Sequence, residues 1–133
     1  MRYMPLVIIL IFLLAGCTLS AAAPTPTPLP PTPDIPRVNF LYPQDNSLVV
    51  EGSELRIDIV AQDSVGIQKI EVRLNGQLLI PPTWPETGPA PVYRLETNWI
   101  ATGIGRHVLS AIAYRSDGTR SDETIIEIEV IAP

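Results

Sequence analysis

Hydrophobic and polar positions alternate with a period of two along most of the chain after residue 37. In residues 54–62, Leu55, Ile57, Ile59 and Ala61 fall on one side, and Arg56, Asp58 and Val60 on the other. Successive strand side chains point to opposite faces, so this run predicts a half-buried strand. Ile70, Val72 and Leu74 alternate with Lys69, Glu71 and Arg73, and Asn75-Gly76 follows. That dipeptide is the strongest short hairpin signal, because both turn positions need φ > 0; residues 77–80 supply the short return strand. Tyr93, Leu95, Thr97 and Trp99 are in phase, as are His107, Leu109, Ala111 and Ala113. Thr124, Ile126, Ile128 and Val130 close the series opposite Glu127 and Glu129. Residues 37–42 make a first strand running into Pro43.

Turn residues punctuate these runs: residues 63–66, 103–105 and 116–119 carry the Gly, Asp and Ser that reverse a chain. Residues 81–91 hold five prolines and a Trp, which suits a loop and not a sheet centre. No stretch of the folded part shows a 3.6-residue period. About seven short strands spaced by turns predict an all-β fold, an Ig-like antiparallel β-sandwich over residues 37–133. Several segments also resemble a known family. Leu41-Tyr42-Pro43, residues 66–72 before Asn75-Gly76, residues 105–111 and Ser116-Asp117-Gly118 look like the bacterial Ig-like domains of secreted and surface proteins. The resemblance covers nearly all of residues 37–131. The long loop at 81–91 departs from it and leaves the crossing between the two sheets open.

The first 36 residues follow other rules. Arg2 and the free amine precede an apolar run, residues 6–14, and the small pair Ala15-Gly16. This is the three-part layout of a secretory signal, expected over residues 1–16. The run is too short to span a bilayer, which takes about 20 residues as a helix. Leu14-Ala15-Gly16-Cys17 resembles the lipobox of bacterial lipoproteins, and Cys17 is the only cysteine. The resemblance implies cleavage between Gly16 and Cys17 and a covalent diacylglyceryl lipid on the Cys17 sulfur. The chain is then anchored on the extracytoplasmic face of the cell membrane. Residues 17–36 are rich in Pro and Thr, which alternate over 24–28, and this favours an extended polyproline II stalk. At ~3.1 Å per residue the stalk could lift a domain roughly 60 Å from the bilayer. Thr25, Thr27 and Thr32 are positions where such a stalk could carry O-linked sugar.

Charge and chemistry narrow the function classes. The formal charge is −5, and losing residues 1–16 would remove Arg2 and no acid. An acidic chain lacks the basic patch that nucleic acid requires. With Cys17 lipidated, no thiol remains for a disulfide, and burial alone must hold the domain. Nucleophilic catalysis needs a Ser or Cys beside a base, yet His107 is the sole histidine and is in phase with Leu109, as a core or corner residue would be. No catalytic residues, cofactor or metal site are expected. Asp63 and the pair Asp117 and Asp122 are loop carboxylates that could at most hold calcium, without an Asp-x-Asp cluster. Glu127 and Glu129 read as a solvated face, as do Arg56, Asp58, Arg94 and Glu96.

Surface is what remains. The strand over residues 106–115 should point Val108, Ser110, Ile112 and Tyr114 outward, with Ile125 near Ile112 on the next strand. Val108, Ile112, Tyr114 and Ile125 then form an apolar patch edged by Lys69, Arg73, Glu127 and Glu129, the kind of rimmed patch that marks a protein contact. The leading expectation is therefore a non-catalytic, lipid-anchored surface protein whose Ig-like module binds an extracellular or envelope protein. The alternative is a carbohydrate-binding module that stacks Trp84 and Tyr93 on wall or extracellular glycans.

Overall fold

The structure, a computed structural model, describes residues 29–133, of which Pro33–Pro133 form one compact unit. Residues 1–28, with Gly16, Cys17 and most of the Pro/Thr run, lie outside the described residues. Eight strands follow in order: β1 (Arg37–Tyr42), β2 (Ser47–Val50), β3 (Glu54–Ile67), β4 (Lys69–Leu74), β5 (Gln77–Leu78), β6 (Ala90–Ile100), β7 (Gly105–Tyr114) and β8 (Thr124–Ile131). They build a three-stranded sheet, β1-β3-β6, and a five-stranded sheet, β2-β8-β7-β4-β5. The fold is an all-β sandwich, as the alternation predicts.

The core lies between the inner faces. β3 contributes Leu55, Ile57, Ile59 and Ala61, and the second sheet contributes Val72, Leu109, Ala111, Ile128 and Val130, all buried. Each Leu, Ile and Val among them adds roughly 1.5–3 kcal/mol relative to exposure, and the two alanines less. These are the positions that the period-two reading sends inward. The Asn75-Gly76 turn forms as expected, with φ of 50° and 81°, and sets Leu74 opposite Gln77.

Three features depart from the sequence reading. β2 is an added strand, and it pairs with β8 in parallel, Val49 beside Val130, so the sandwich is not purely antiparallel. β3 does not stop at Gln62; it continues through a bulge to Ile67, which pairs with Ala90. Ile35 and Pro36 are half-buried and buried, and Asp34 pairs with Arg115 at 3.2 Å, so the fold takes hold of the chain before β1 begins.

Candidate functional site: the outer faces of the sandwich

The outer face of the five-stranded sheet carries the predicted patch. Register places Ile125 opposite Ser110, between the levels of Val108 and Ile112. Ile125 is 57% exposed and Val108 37%, whereas Tyr114 is half-buried and Ile112 is only 6% exposed. Ile112 therefore belongs to the packed part of the sheet, a correction to its place in an accessible patch. The reason is its neighbour Glu71, directly opposite in the ladder. Glu71 accepts hydrogen bonds from Lys69 Nζ (2.8 Å), Arg73 Nη2 (3.2 Å) and the Tyr114 hydroxyl (3.3 Å). Lys69 Nζ also lies 4.3 Å from the centre of the Tyr114 ring, within cation–π range. Long side chains tied together in this way cover apolar surface with their stems. Lys69, then Arg73 and the Tyr114 hydroxyl, hold the Glu71 carboxyl below the usual carboxylate range against the opposing effect of burial.

The same face exposes apolar side chains that the pattern reading missed. Leu48 and Val50 on β2 are 64% and 42% exposed, and Ile131 on β8 is 37% exposed beside Val50. Glu127, Glu129 and Arg106 lie among them, with Arg106 paired to Glu127 at 3.6 Å. Contiguous Leu48-Val49-Val50 hides a strand's alternation, so only the pairing with β8 reveals which of them face out.

On the three-stranded sheet the outer face is more than a solvated scatter of charge. Asp58 is buried at 4% exposure, correcting its reading as an ordinary solvated acid. Arg94 reaches both of its oxygens, Nε to Oδ1 at 2.8 Å and Nη2 to Oδ2, and Arg56 adds a bond at 3.1 Å. The Arg94 bonds lead in holding the Asp58 carboxyl low, with burial opposing. Glu96 bridges outward to Arg56 at 3.1 Å.

Two of the three carboxylates considered for calcium, Asp63 and Asp117, are engaged by protein groups. Asp63 accepts two bonds from Arg115, Nε at 2.8 Å and Nη2 at 2.7 Å, and its Oδ2 also takes the N–H groups of Val65 and Gly66. Arg115 is thus the leading cause that keeps the Asp63 carboxyl low. Asp117 caps the N–H of Thr119 at 2.9 Å. Among the described residues no three metal-ligating side chains converge. His107 occupies a corner: Nε2 bonds the Gly103 carbonyl and Nδ1 meets the Asn75 amide at 3.0 Å, while its ring tilts against Trp99 with centroids 5.5 Å apart. Asn75 Oδ1 accepts from the Val108 N–H, so the side-chain amide ties the hairpin to β7. Both imidazole nitrogens are committed, and the residue is built into the corner.

The two aromatic residues of the glycan alternative separate. Trp84 is 62% exposed on the loop between β5 and β6. Tyr93 faces inward opposite Ala61 and packs against the core, which corrects its assignment to a surface platform. A groove of about 440 Å³ opens beside the start of β1, lined by Asp34, Arg37, Gln62, Ser64, Pro91 and Val92.

The model of the family described as Bacterial Ig domain matches residues 36–111. No curated protein matches the chain. Among solved structures, the chain is similar to the fibronectin(III)-like modules of Clostridium thermocellum CbhA, with 26% identity, 72% of this chain and 98% of that chain covered, and a TM-score of 0.59. It is also similar in fold to the CARDB domain of PF1109 from Pyrococcus furiosus, solved in complex with di-metal ions, at 15% identity, 77% and 100% coverage and a TM-score of 0.53. The endo-beta-1,4-mannanase from Thermotoga petrophila shares the fold at 14% identity, with 74% of this chain and 20% of that chain covered and a TM-score of 0.53. With the eight-stranded sandwich and the family match over 36–111 together, the chain belongs to the bacterial Ig domain family.

Proposed function

We propose that this chain is a lipid-anchored protein of the extracytoplasmic membrane face, whose Ig-like domain binds another envelope or extracellular protein without catalysing a reaction. The observation that carries the reading is the outer face of the five-stranded sheet, where Leu48, Val50, Ile125, Ile131 and Val108 from three adjacent strands are exposed among charges. Water-exposed apolar groups rimmed by charge are the usual make-up of a protein contact. The test is partner capture from solubilised envelope by the full chain and by its Ile125→Glu version. Ile125 is exposed, so the substitution leaves the fold in place. A protein retained by the first and lost by the second supports the contact face; equal retention rejects it. The anchor is tested apart from the face. Cys17→Ser should accumulate as an unprocessed precursor, and a variant that still matures and partitions into detergent rejects lipidation at Cys17.

The glycan reading rests on Trp84 alone, an exposed indole able to stack on a sugar ring. It predicts a tryptophan fluorescence change with polysaccharide that Trp84→Phe abolishes. No response from wall polysaccharides would reject it.

A further inference from the structure

A strand at a sheet edge carries unpaired backbone groups that invite another strand, and proteins blunt such edges by shortness, bulges or cover. The described sandwich blunts three of its four edges. β5 has two residues and β2 four. β1 is interrupted by a register shift between Phe40 and Tyr42, and the Thr124 hydroxyl covers the Val38 carbonyl at 2.6 Å. β6 is different. It has 11 residues, hydrogen-bonds only to β3, and runs without a register shift from Val92 to Ile100. No charged side chain of this stretch points inward: Tyr93, Leu95, Thr97 and Trp99 form the inner face.

The phase of its free groups can be read. Ala101 donates its N–H to the Ser53 carbonyl at 2.9 Å, so its N–H points towards β3. Along a strand every second residue turns the same way. Trp99, Thr97, Leu95 and Tyr93 therefore bond β3, and Ile100, Asn98, Glu96, Arg94 and Val92 turn N–H and C=O to the open edge.

The geometry points to β6 as a homodimer edge, pairing antiparallel with β6 of a second copy of this chain about a two-fold axis at Leu95. Charge complementarity selects both occupant and register. With Leu95 at the axis, Arg94 stands opposite Glu96 of the second copy, and Glu96 opposite its Arg94. Val92 stands opposite Asn98 in each direction. These are the residues whose backbone groups face outward, so each of these pairs can exchange two hydrogen bonds. Both charged side chains are 53% exposed and lie on the same outer face; within the chain Arg94 is held to Asp58 and stands 3.4 Å from Glu96, and the pairs across the axis would extend this network from one copy to the other. A two-fold pairing of this kind is isologous and closes on itself, leaving no further β6 edge to propagate a fibre. The two three-stranded sheets become one six-stranded sheet.

The test is oxidative cross-linking of the full chain in the bacterial envelope. Hydrogen-bonded antiparallel pairs hold their Cα atoms about 5.5 Å apart, within disulfide reach. Val92→Cys and Asn98→Cys are both exposed and outside the ion pairs. Co-expressed as two single variants, they should give a disulfide-linked dimer at least tenfold above either variant alone. Six residues separate the two positions, so one variant cannot link to itself in this register. Links through Cys17, or through crowding on the membrane, would appear equally in the single variants. Adding Glu96→Lys, which leaves Asp58 its two arginines, should cut the cross-linked yield several-fold at low ionic strength. Absence of the mixed dimer, equal dimer from a single variant, or a yield indifferent to Glu96→Lys would each overturn the proposal.

Discussion

Arg115 shows how much of the stability sits in single side chains. Its guanidinium fills a site where Asp63 has a side chain only 1% exposed, and it also reaches Asp34. Removing one partner of a buried pair leaves an uncompensated charge. Arg115→Leu should therefore lower the thermal midpoint by more than about 10 °C, read by circular dichroism. Asp63→Asn in the same background should recover part of the loss, because it removes the stranded charge. Ile112→Glu belongs at this scale too. At 6% exposure it should unfold the domain, not merely block a contact, in contrast to Ile125→Glu. The pH response follows from Asp58, Asp63 and Glu71, whose carboxyls all titrate lower in the folded chain than their ordinary values of 3.8, 3.8 and 4.5. The unfolded chain takes up these protons first on acidification. Stability from the three groups is thus fully present above about pH 5 and drains away as pH falls through 4 and below. A thermal midpoint flat from pH 7 to 5 and falling steadily below 4 is the expected profile, and Asp63→Asn should make that fall shallower.

At the scale of elements, the bulge in β3 is the informative feature. Residues 63–66 read as a turn because Asp, Ser and Gly cluster there, and locally the backbone does bend: Gly66 has φ of 126°. The tertiary structure turns that bend into a continuation, since Ile67 finds Ala90 to pair with across the sheet. A Cβ on Gly66 would meet Pro89 Cβ at 3.2 Å in a conformation that L residues rarely adopt. Gly66→Ala should cost about 1–3 kcal/mol in chemical denaturation, whereas Gly52→Ala meets no neighbour and suffers only its own backbone strain. β2 went unread for a different reason. Four residues with contiguous Leu48-Val49-Val50 carry no alternation, and their partner β8 lies some eighty positions away. The hairpin at Asn75-Gly76 was legible because its information is local: two residues that tolerate φ > 0 between two strand patterns.

For the molecule as a whole, one core joins the two sheets, so the domain should unfold as a single cooperative unit. Ile57→Ala, at a position with no exposure, should destabilise by about 2–5 kcal/mol without changing the denaturant slope, which urea titration measures. A second transition in that titration would contradict a single shared core.

The sequence by itself determined the all-β class, the inward residues of β3, β4, β7 and β8, and the hairpin turn. Period-two alternation and turn chemistry are properties of neighbouring residues, and burial enforces them because a slip of one residue would flip every side chain. Its N-terminal motif also set the expectation of a lipid anchor at Cys17. Only the tertiary structure decided which outward residues are truly exposed. Ile112 and Asp58 alternate outward yet are buried, because Glu71 on β4 lies against Ile112 and Arg94 on β6 closes over Asp58, joined there by Arg56 from Asp58's own strand. Tyr93 faces the core and Trp84 does not, and β6 is left as the long open edge, because strand order places β3 on one side of it and, among the described residues, no strand on the other. Exposure and pairing depend on partners distant in the chain, and alternation along one strand carries no record of them.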